Sequence, residues 1–284
     1  MAGILDYLRL LRLSQSYKNL LVFLAVFFSF NIFNAQMLST TIIGFFALTL
    51  TSFSGYIIND IIDREKDSMH PEKSRRVIAA GIVPVSHALT ISIILLAVAL
   101  LTALTLSTAF FFACALLFIL TLFYSLKARE IIFLDILVIA TNFVLRAIAG
   151  AILINVYVSP WLILCPFFLS LFLSIGKRKA EYNTLKSLAS RTRKSLKHYN
   201  NELTNALMII STTTLILSYA LYTQATNHWL TLTLPVVLYG IFRYFYLIFT
   251  NSPVARNPEK AFLDKPLITS MLIWLALAFV ILYY

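Results

Sequence analysis

Long apolar runs separated by short polar links constrain this chain more than any other feature. The runs approach or exceed the ~20 apolar residues that an α-helix needs to cross a bilayer. Only helices or closed barrels satisfy every backbone polar group in lipid, and these runs lack the alternation of barrel strands. The sequence therefore predicts an all-α membrane protein that forms one integral membrane domain over residues 1–284. About nine transmembrane helices are expected, near residues 17–36, 39–58, 87–105, 108–125, 131–154, 159–176, 203–223, 229–250 and 265–284.

The distribution of charge gives these helices an orientation. With 60% hydrophobic and 12% charged residues, the composition excludes a soluble globular chain. The net charge of +11 falls mainly before the first run and in the links after runs two, four, six and eight, whereas the opposite links contain no Lys or Arg. By the positive-inside rule, the N-terminus and the even-numbered links face the cytoplasm. Nucleic acid is not an expected partner, because the sequence offers no soluble basic domain.

A polar stretch over residues 59–76 interrupts the apolar pattern directly after the second run. On a helix that advances ~100° per residue, the side chains of Asn59, Asp60, Asp63 and Asp67 fall within one arc of roughly 100°. Like charges on one face of a helix repel one another, and this repulsion destabilises the helix. A cation bound between the carboxylates removes the repulsion, so the carboxylates form a favourable cation site. Carboxylate oxygens suit hard ions such as Mg²⁺, which shares its coordination with waters and substrate phosphates. The pattern predicts a metal and phosphate site, although a solvated surface loop would also carry such charges.

Basic residues that could neutralise phosphate occur in several other places. Lys73 and Arg76 follow the acidic residues, and His70 could bind a phosphate or cap the loop. Lys18 opens the first run, where it either snorkels to the lipid headgroups or faces a substrate. After the sixth run, residues expected to line a cavity are followed by surface charges attracted to anionic lipid. The first group is Lys177, Arg178 and Glu181, and the second is Arg191, Arg193, Lys194 and Lys197.

The fifth run contains polar residues that are unusual at membrane depth. Asn142 and Arg146 follow Asp135 by 7 and 11 positions, so all three side chains share one face of a helix. A charge as deep as Arg146 usually faces a bundle interior or a water-filled cavity. Arg146 is interpreted as a substrate ligand, or alternatively as a structural clamp on carbonyl groups between helices. Tyr124 and Lys127 form a second polar segment just before this run.

Several of these stretches carry a family resemblance. Asn59-Asp60-x-x-Asp63-x-x-x-Asp67 resembles the first signature of the UbiA superfamily of intramembrane prenyltransferases. The usual second signature, D-x-x-x-D, is missing, and Tyr124-Ser125-x-Lys127 with Asp135 stands in its place. Four other stretches resemble one branch, the decaprenyl-phosphate phosphoribosyltransferases of actinobacterial cell-wall synthesis, although Val77 departs from the proline usual in that branch. They are Gln15-x-x-Lys18-Asn19, His70-Pro71-x-Lys73-x-x-Arg76-x-Ile78-Ala79-Ala80-Gly81, Arg146-Ala147-Ile148-Ala149-Gly150 and Gly176-Lys177-Arg178-x-Ala180-Glu181.

The resemblance implies a fold, two substrates and a cofactor. The fold would be a UbiA-type bundle of nine transmembrane helices around a cavity open to the cytoplasm, in a bacterial cytoplasmic membrane. Phosphoribosyl pyrophosphate would be the donor, a polyprenyl phosphate of decaprenyl type the acceptor, and Mg²⁺ the cofactor. The expected metal ligands are Asn59, Asp60, Asp63 and Asp67, and the expected catalytic residues are Asp63, Asp67 and Asp135. The expected substrate-binding residues are Lys18, Asn59, Lys73, Arg76, Tyr124, Lys127, Asn142, Arg146, Lys177, Arg178 and Glu181.

Two other functions stay open at this point. A UbiA-type prenyltransferase would move a polyprenyl group from its diphosphate to an aromatic or other small acceptor. Such an enzyme needs phosphate binding at only one end of its site, whereas phosphoribosyl pyrophosphate carries a diphosphate and a 5-phosphate. The several separate basic groups therefore favour the phosphoribosyl reaction. A non-enzymatic lipid or anion transporter would place its binding groups near the bilayer midplane, where this sequence has few charges. The sequence is compatible with a homo-oligomer and does not determine the isoprenoid length.

Overall fold

The chain is helical throughout the part that the structure describes. A computed structural model describes residues 3–69, 73–185 and 195–284. Within these ranges every regular element is a helix, and no β-strand occurs. The prediction of an all-α fold is therefore confirmed. His70, Arg191, Arg193 and Lys194 lie outside the described residues.

Eight helices in the described ranges are long and apolar enough to cross a membrane, in approximate agreement with the nine predicted. The first predicted span is instead a shorter apolar segment over Leu13–Phe28. Its first part, Leu13–Val22, is a 3₁₀-helix, and only Phe23–Phe28 is α-helical. Phe30 has a φ of 62°, a left-handed conformation that does not continue a helix. The eight spans are Ala35–Ile62, Val85–Leu106, Thr108–Leu126, Leu134–Leu153, Pro160–Asn183, Asn201–Thr226, His228–Phe249 and Lys265–Tyr283.

Short helices occupy the polar links. The first, Ile4–Leu10, precedes the apolar segment, and Arg64–Ser68 follows the first long span after a break at Asp63. The span that begins at Pro160 continues as a helix to Leu185. The remaining short helices are Lys73–Arg75, Ala128–Glu130, Ser195–His198, Pro253–Arg256 and Pro258–Leu263.

One of two compact units comprises Met1–Arg129 and Leu145–Val158. Its central helix, Ala35–Ile62, begins at the N-cap residue Asn34, whose side chain accepts hydrogen bonds from the backbone N–H groups of the first turn. This helix packs against the two spans that follow it in the chain. Among the contacts is a hydrogen bond of 2.8 Å between the buried hydroxyl groups of Ser54 and Ser92. Small polar residues therefore let this helix pack closely along its length.

A close approach at Gly150 brings the helix Leu134–Leu153 against the N-terminal apolar segment. A Cβ atom on Gly150 would lie 2.2 Å from the carbonyl oxygen of Val22, which is too close for any side chain. Arg146 is one helical turn before Gly150 and so faces the same way. The glycine therefore permits the contact that places Arg146 against the N-terminal segment.

The second unit comprises Glu130–Val144 and Ser159–Tyr284. Its helices Pro160–Leu185 and Asn201–Thr226 pack against each other. A core of buried apolar side chains joins them to the helix Leu234–Phe249, with Phe172, Ile175, Met208, Tyr244 and Ile248 among its members. This core supports the end of Pro160–Leu185, which carries the polar residues considered below.

Candidate active site

Three aspartates meet where the long helix Ala35–Ile62 ends. Asp60 lies in its last turn, Asp63 is its C-cap residue, and Asp67 belongs to the short helix Arg64–Ser68. All three are buried, with exposed fractions of 5%, 8% and 4%. The sequence analysis treated them as one helical stripe, whereas the structure divides them between two helices. Buried carboxylates require nearby positive charges. A carboxylate that is buried alone loses its hydration energy and gains no comparable interaction in the protein interior.

Arginine side chains supply these counter-charges. Arg12 donates to both oxygens of Asp60, with an Nε to Oδ2 distance of 3.0 Å. Arg76 bridges two carboxylates, since its Nη1 lies 3.0 Å from Asp60 Oδ1 and also donates to Asp67 Oδ2. We call these residues, with the Asp63–Arg129 pair described next, the acidic cluster. Its two-pronged guanidinium contacts are also the geometry in which arginine binds phosphate.

Asp63 is bound on one side only. Arg129 donates to its Oδ2 atom, while the buried Oδ1 atom makes no hydrogen bond to any described residue. A buried anionic oxygen without a donor is costly unless a cation approaches it. The ranges that the structure describes contain no group of three or more acidic, histidine or cysteine side chains already arranged to hold a metal. The oxygen donors of the acidic cluster nevertheless fit a hard divalent cation in their chemistry, and Asp63 Oδ1 makes no hydrogen bond to any described residue that would compete with one.

A polar network surrounds Arg146 in the same unit. Arg146 Nε donates to Asn19 Oδ1 at 2.8 Å, and Ser52 Oγ donates to the same oxygen at 3.2 Å. Asn19 in turn donates to Thr49 Oγ1 at 3.1 Å. Arg146, Asn19 and Ser52 are all buried. The guanidinium group is therefore held in place by a network that includes these neutral side chains.

The aromatic ring of Tyr56 contacts two cationic side chains of the N-terminal segment. The Lys18 Nζ atom lies 5.7 Å from the centroid of the Tyr56 ring, and the Arg12 Cζ atom lies 6.0 Å from it. Both separations are within the range of a cation–π contact. Tyr56 is part of the helix Ala35–Ile62, one turn before Asp60. Three cationic side chains, those of Arg12 and Lys18 from the N-terminal segment and of Arg76, thus gather near the end of this helix.

The second unit contains a separate buried network around Asp135. Arg178 Nε donates to Asp135 Oδ2 at 2.8 Å, and the Tyr199 hydroxyl donates to Oδ1 at 2.8 Å. Ser195 Oγ lies 3.4 Å from Oδ2. Arg178 also donates to Glu181 Oε2 at 2.6 Å. The central pair of this Asp135 network is fully buried, because Asp135 is 0% and Arg178 is 1% exposed.

The environment of Tyr199 makes its hydroxyl group a hydrogen-bond donor. Burial raises the pKa of the Tyr199 hydroxyl above its ordinary value, and the charge of the adjacent Asp135 raises it further. The hydroxyl is therefore neutral at physiological pH and donates to the carboxylate. This hydrogen bond thereby attaches the short helix Ser195–His198 and Tyr199 to the start of the helix Leu134–Leu153.

The other residues predicted from the sequence occupy varied positions. Asn142 is buried and donates to the Val138 carbonyl at 3.2 Å, as polar side chains inside helices often do. Lys127 is exposed at the C-cap of Thr108–Leu126. The half-buried members of the set are Asn59, Lys73, Tyr124, Lys177 and Glu181.

The sequence analysis missed three residues that the structure places in these networks. Arg12 and Arg129 bind the acidic cluster, and Tyr199 binds Asp135. The residues of these pairs are separated by 48, 66 and 64 positions, and no local pattern predicts such contacts. For Arg12 and Arg129 the available signal was their place in links rich in basic residues, which the analysis used only for orientation.

The fold and the site together define a class of protein. The chain is a multi-pass helical membrane protein with a buried carboxylate and arginine cluster at the end of one span. It belongs to the UbiA prenyltransferase family, whose sequence profile matches residues 20–276. The family resemblance stated from the motifs is thus confirmed.

Curated relatives and solved structures agree with this assignment. A protein named decaprenyl-phosphate phosphoribosyltransferase from Mycobacterium tuberculosis is 28% identical over 246 residues, which cover 85% of this chain and 81% of the relative. A protein of the same name from Corynebacterium glutamicum is 28% identical over 278 residues, covering 94% and 83%. A UbiA homolog from Archaeoglobus fulgidus, solved bound to GPP and Mg²⁺, superposes with a TM-score of 0.75 at 22% identity and covers 98% of this chain and all of that one. This likeness confirms the fold.

Proposed function

We propose that this protein transfers a 5-phosphoribosyl group from phosphoribosyl pyrophosphate to a polyprenyl phosphate of decaprenyl type, releasing pyrophosphate. The acidic cluster is the observation that carries the proposal. In it, buried carboxylates and guanidinium groups lie near the end of one helix, and these are the kinds of group that a metal-bound diphosphate requires. The names of the curated relatives support the choice of donor and acceptor.

The residues of the acidic cluster would receive the diphosphate. Asn59, Asp60, Asp63 and Asp67 would hold Mg²⁺, which neutralises charge on the diphosphate when it is bound. A related structure, from Archaeoglobus fulgidus, was solved with Mg²⁺. Arg76, Arg129 and Lys73 are proposed to contact diphosphate oxygens. In doing so the two arginines would exchange a carboxylate partner for a phosphate partner at little electrostatic cost, because both partners are anionic oxygens.

The 5-phosphate of the donor needs a second cationic group. Arg146 is proposed for this role, because neutral side chains hold its guanidinium in place at 2.8 Å from Asn19. The residues proposed to contact the remaining parts of the substrates are Lys18, Tyr124, Lys127, Asn142, Lys177, Arg178 and Glu181, with Asp135 in a catalytic or positioning role.

The distribution of charge in the proposed site implies that the acceptor displaces pyrophosphate directly. As the bond between the anomeric carbon and pyrophosphate breaks, positive charge develops on the sugar and negative charge on the leaving group. An oxygen of the polyprenyl phosphate then forms the new bond to the anomeric carbon. This oxygen is already anionic at neutral pH, so the step needs no general base. Attack from the face opposite pyrophosphate inverts the anomeric carbon.

The location follows from the distribution of charge. The basic links and the acidic cluster are proposed to face the cytoplasm of a bacterial cell, where phosphoribosyl pyrophosphate would be available. The acceptor would enter from the lipid phase. Labelling of engineered cysteines from either side of the cytoplasmic membrane checks both the orientation of the protein and the membrane in which it lies.

A transfer assay tests the proposed reaction. Protein reconstituted in lipid vesicles is supplied with Mg²⁺, decaprenyl phosphate and ribose-labelled phosphoribosyl pyrophosphate. We expect label in the lipid extract and equimolar pyrophosphate in the aqueous phase. The Archaeoglobus fulgidus structure with GPP favours one second candidate, prenyl transfer from a polyprenyl diphosphate. If label stays in the aqueous phase while a labelled polyprenyl diphosphate yields a prenylated small acceptor, this second reaction is the correct one.

A further inference from the structure

A shallow groove of about 440 Å³ lies beside the N-terminal helix Ile4–Leu10 in the first unit. One part of its lining is apolar and the other is basic, which is the composition expected of a site for an amphiphile. We call it the N-terminal groove. Its lining residues are Leu5, Leu8, Arg9, Arg12, Leu13 and Ser14.

The apolar part of the groove is open to its surroundings. Leu5, Leu8 and Leu13 are 70%, 43% and 52% exposed. In a membrane protein, a short helix with exposed leucines and interspersed charges lies at the boundary between headgroups and acyl chains. The leucines thus provide a surface for an isoprenoid chain at the level where its phosphate would meet the basic side chains.

Arg12 belongs both to the groove and to the acidic cluster. It lines the groove, and its Nε atom donates to Asp60 Oδ2 at 3.0 Å. Its backbone has φ 51° and ψ 51°, a left-handed conformation that is strained for a residue other than glycine. This turn redirects the chain from the helix Ile4–Leu10 into Leu13–Val22. The strained turn therefore places one guanidinium group between an apolar groove and the proposed diphosphate site.

We propose that the N-terminal groove binds the phosphate end of the polyprenyl phosphate acceptor. The phosphate would contact Arg9 and Arg12, and the first isoprene units would lie on the three leucines. This inference rests on the proposed function, in which the acceptor oxygen must reach the carbon that pyrophosphate leaves. The groove joins apolar surface to the acidic cluster through the shared side chain of Arg12.

The charge of the groove favours a phosphate monoester over an ordinary phospholipid. A monoester carries a charge of about −1.5 to −2 at neutral pH, whereas the phosphodiester of a phospholipid carries a single charge. Arg9 and Arg12 supply two positive charges, although Arg9 also contacts Asp6 at 3.5 Å. Arg9 is the better residue to vary, because Arg12 also binds Asp60.

Equilibrium binding of labelled decaprenyl phosphate to the full-length protein in detergent tests the groove independently of turnover. We expect Arg9→Gln and Leu13→Ala each to weaken this binding by about threefold to tenfold. Lys260→Gln and Leu101→Ala are matched controls, because they remove an exposed cation and an exposed leucine that do not line the groove. In the transfer assay, the two groove variants should raise the KM for decaprenyl phosphate by the same factor and leave the KM for the donor unchanged.

Two results would overturn the proposal. One is decaprenyl phosphate binding in Arg9→Gln and Leu13→Ala that equals the binding of the control variants. The other is equally effective displacement of the label by phosphatidylglycerol, which would make the groove a general contact with anionic lipid. Either result can occur in a protein that still transfers the phosphoribosyl group, so it would reject the groove alone. Failure of transfer in the wild-type protein would reject the proposed function instead.

Discussion

The guanidinium group of Arg129 donates to Asp63 Oδ2 and joins two residues 66 positions apart in the chain. Arg129 belongs to the short helix Ala128–Glu130 and Asp63 is the C-cap of Ala35–Ile62, so the pair connects two links of one unit. Both side chains are nearly buried, at 12% and 11% exposed. Since Asp63 Oδ1 has no hydrogen-bond donor among the described residues, the charge of this carboxylate depends strongly on Arg129.

Arg129→Gln should make the stability of the protein depend on Mg²⁺. Without the guanidinium group, Asp63 becomes a buried charge with no cation, a change that typically costs about 3–5 kcal/mol for a buried pair. A metal ion bound to the carboxylate would offset part of that cost. We therefore expect a lower melting temperature in detergent with EDTA and partial recovery with Mg²⁺. Arg243→Gln serves as the control, because its partner Asp264 lies in a different link, and its melting temperature should not respond to Mg²⁺.

Asp63→Asn should abolish turnover while the protein stays folded. The amide oxygen can still accept a hydrogen bond from Arg129, but a neutral group binds a hard cation poorly. We expect transfer activity to fall by about 100-fold or more, with an unchanged elution profile and a smaller loss of melting temperature than in Arg129→Gln, because the hydrogen bond is kept. Glu202→Gln, an exposed acidic control, should keep normal activity. Near-normal activity of Asp63→Asn in excess Mg²⁺ would contradict the metal assignment.

The sequence predicted the transmembrane architecture because hydrophobicity is a local property. A run of apolar residues has to cross the bilayer as a helix wherever its neighbours lie. The first run was the exception, since Leu13–Phe28 divides into a 3₁₀-helix and a short α-helix. Polar residues at its start, including Asn19, bind partners inside the protein rather than extending an apolar helix.

The candidate site was only partly predictable from the sequence, because only some of its features are local in the chain. The three aspartates were found from their spacing, which is local, but the break at Asp63 was not found. The partners Arg12 and Arg129 are set by tertiary packing, for which one sequence has no periodic signal. Arg146 was found because a charge in an apolar run is conspicuous. Its neighbour Gly150 shows why it is tolerated there, since only glycine permits the close helix contact.

Tyr199→Phe should weaken the Asp135 network without removing a charge. The variant loses the hydrogen bond of 2.8 Å to Asp135 Oδ1, and hydrogen bonds to charged groups contribute about 1.5–3 kcal/mol. We expect a loss of stability in that range, measured by denaturant unfolding in mixed micelles. Tyr7→Phe is the control, because its hydroxyl bonds to His87 in an exposed position. Equal effects of the two substitutions would show that the network is not important for stability.

Asp264→Asn should make the unfolding temperature less dependent on acidic pH. The hydrogen bonds from Arg243 hold the pKa of the Asp264 carboxyl below its ordinary value of 3.8. Because the pKa is lower in the folded protein than in the unfolded chain, the ion pair stabilises the fold at pH values above the ordinary pKa. This stabilisation is lost as the pH falls through the lowered pKa of the folded protein. Asn still caps the helix Lys265–Tyr283, because it can accept the hydrogen bond from Leu267. The melting temperature of the wild type should exceed that of Asp264→Asn at neutral pH, and the difference should shrink as the pH falls below the ordinary pKa of 3.8. A constant difference would contradict the assignment to this pair.

Arg146→Ala should separate donor binding from acceptor binding. The guanidinium group is buried and donates to the neutral side chains of Asn19 and Ser52, and the proposed function assigns its charge to the 5-phosphate of the donor. Loss of a charge-assisted contact with the 5-phosphate should raise the KM for phosphoribosyl pyrophosphate about tenfold or more, with a smaller change in the KM for decaprenyl phosphate. Ser92→Ala is the control for a purely structural effect, because it also removes a buried hydrogen bond in the same unit but no charge. A larger change in the KM of the acceptor than of the donor would instead place Arg146 at the lipid phosphate. Equal KM values in Arg146→Ala and Ser92→Ala, with equal losses of stability, would make Arg146 a structural clamp between the N-terminal segment and the helix Leu134–Leu153.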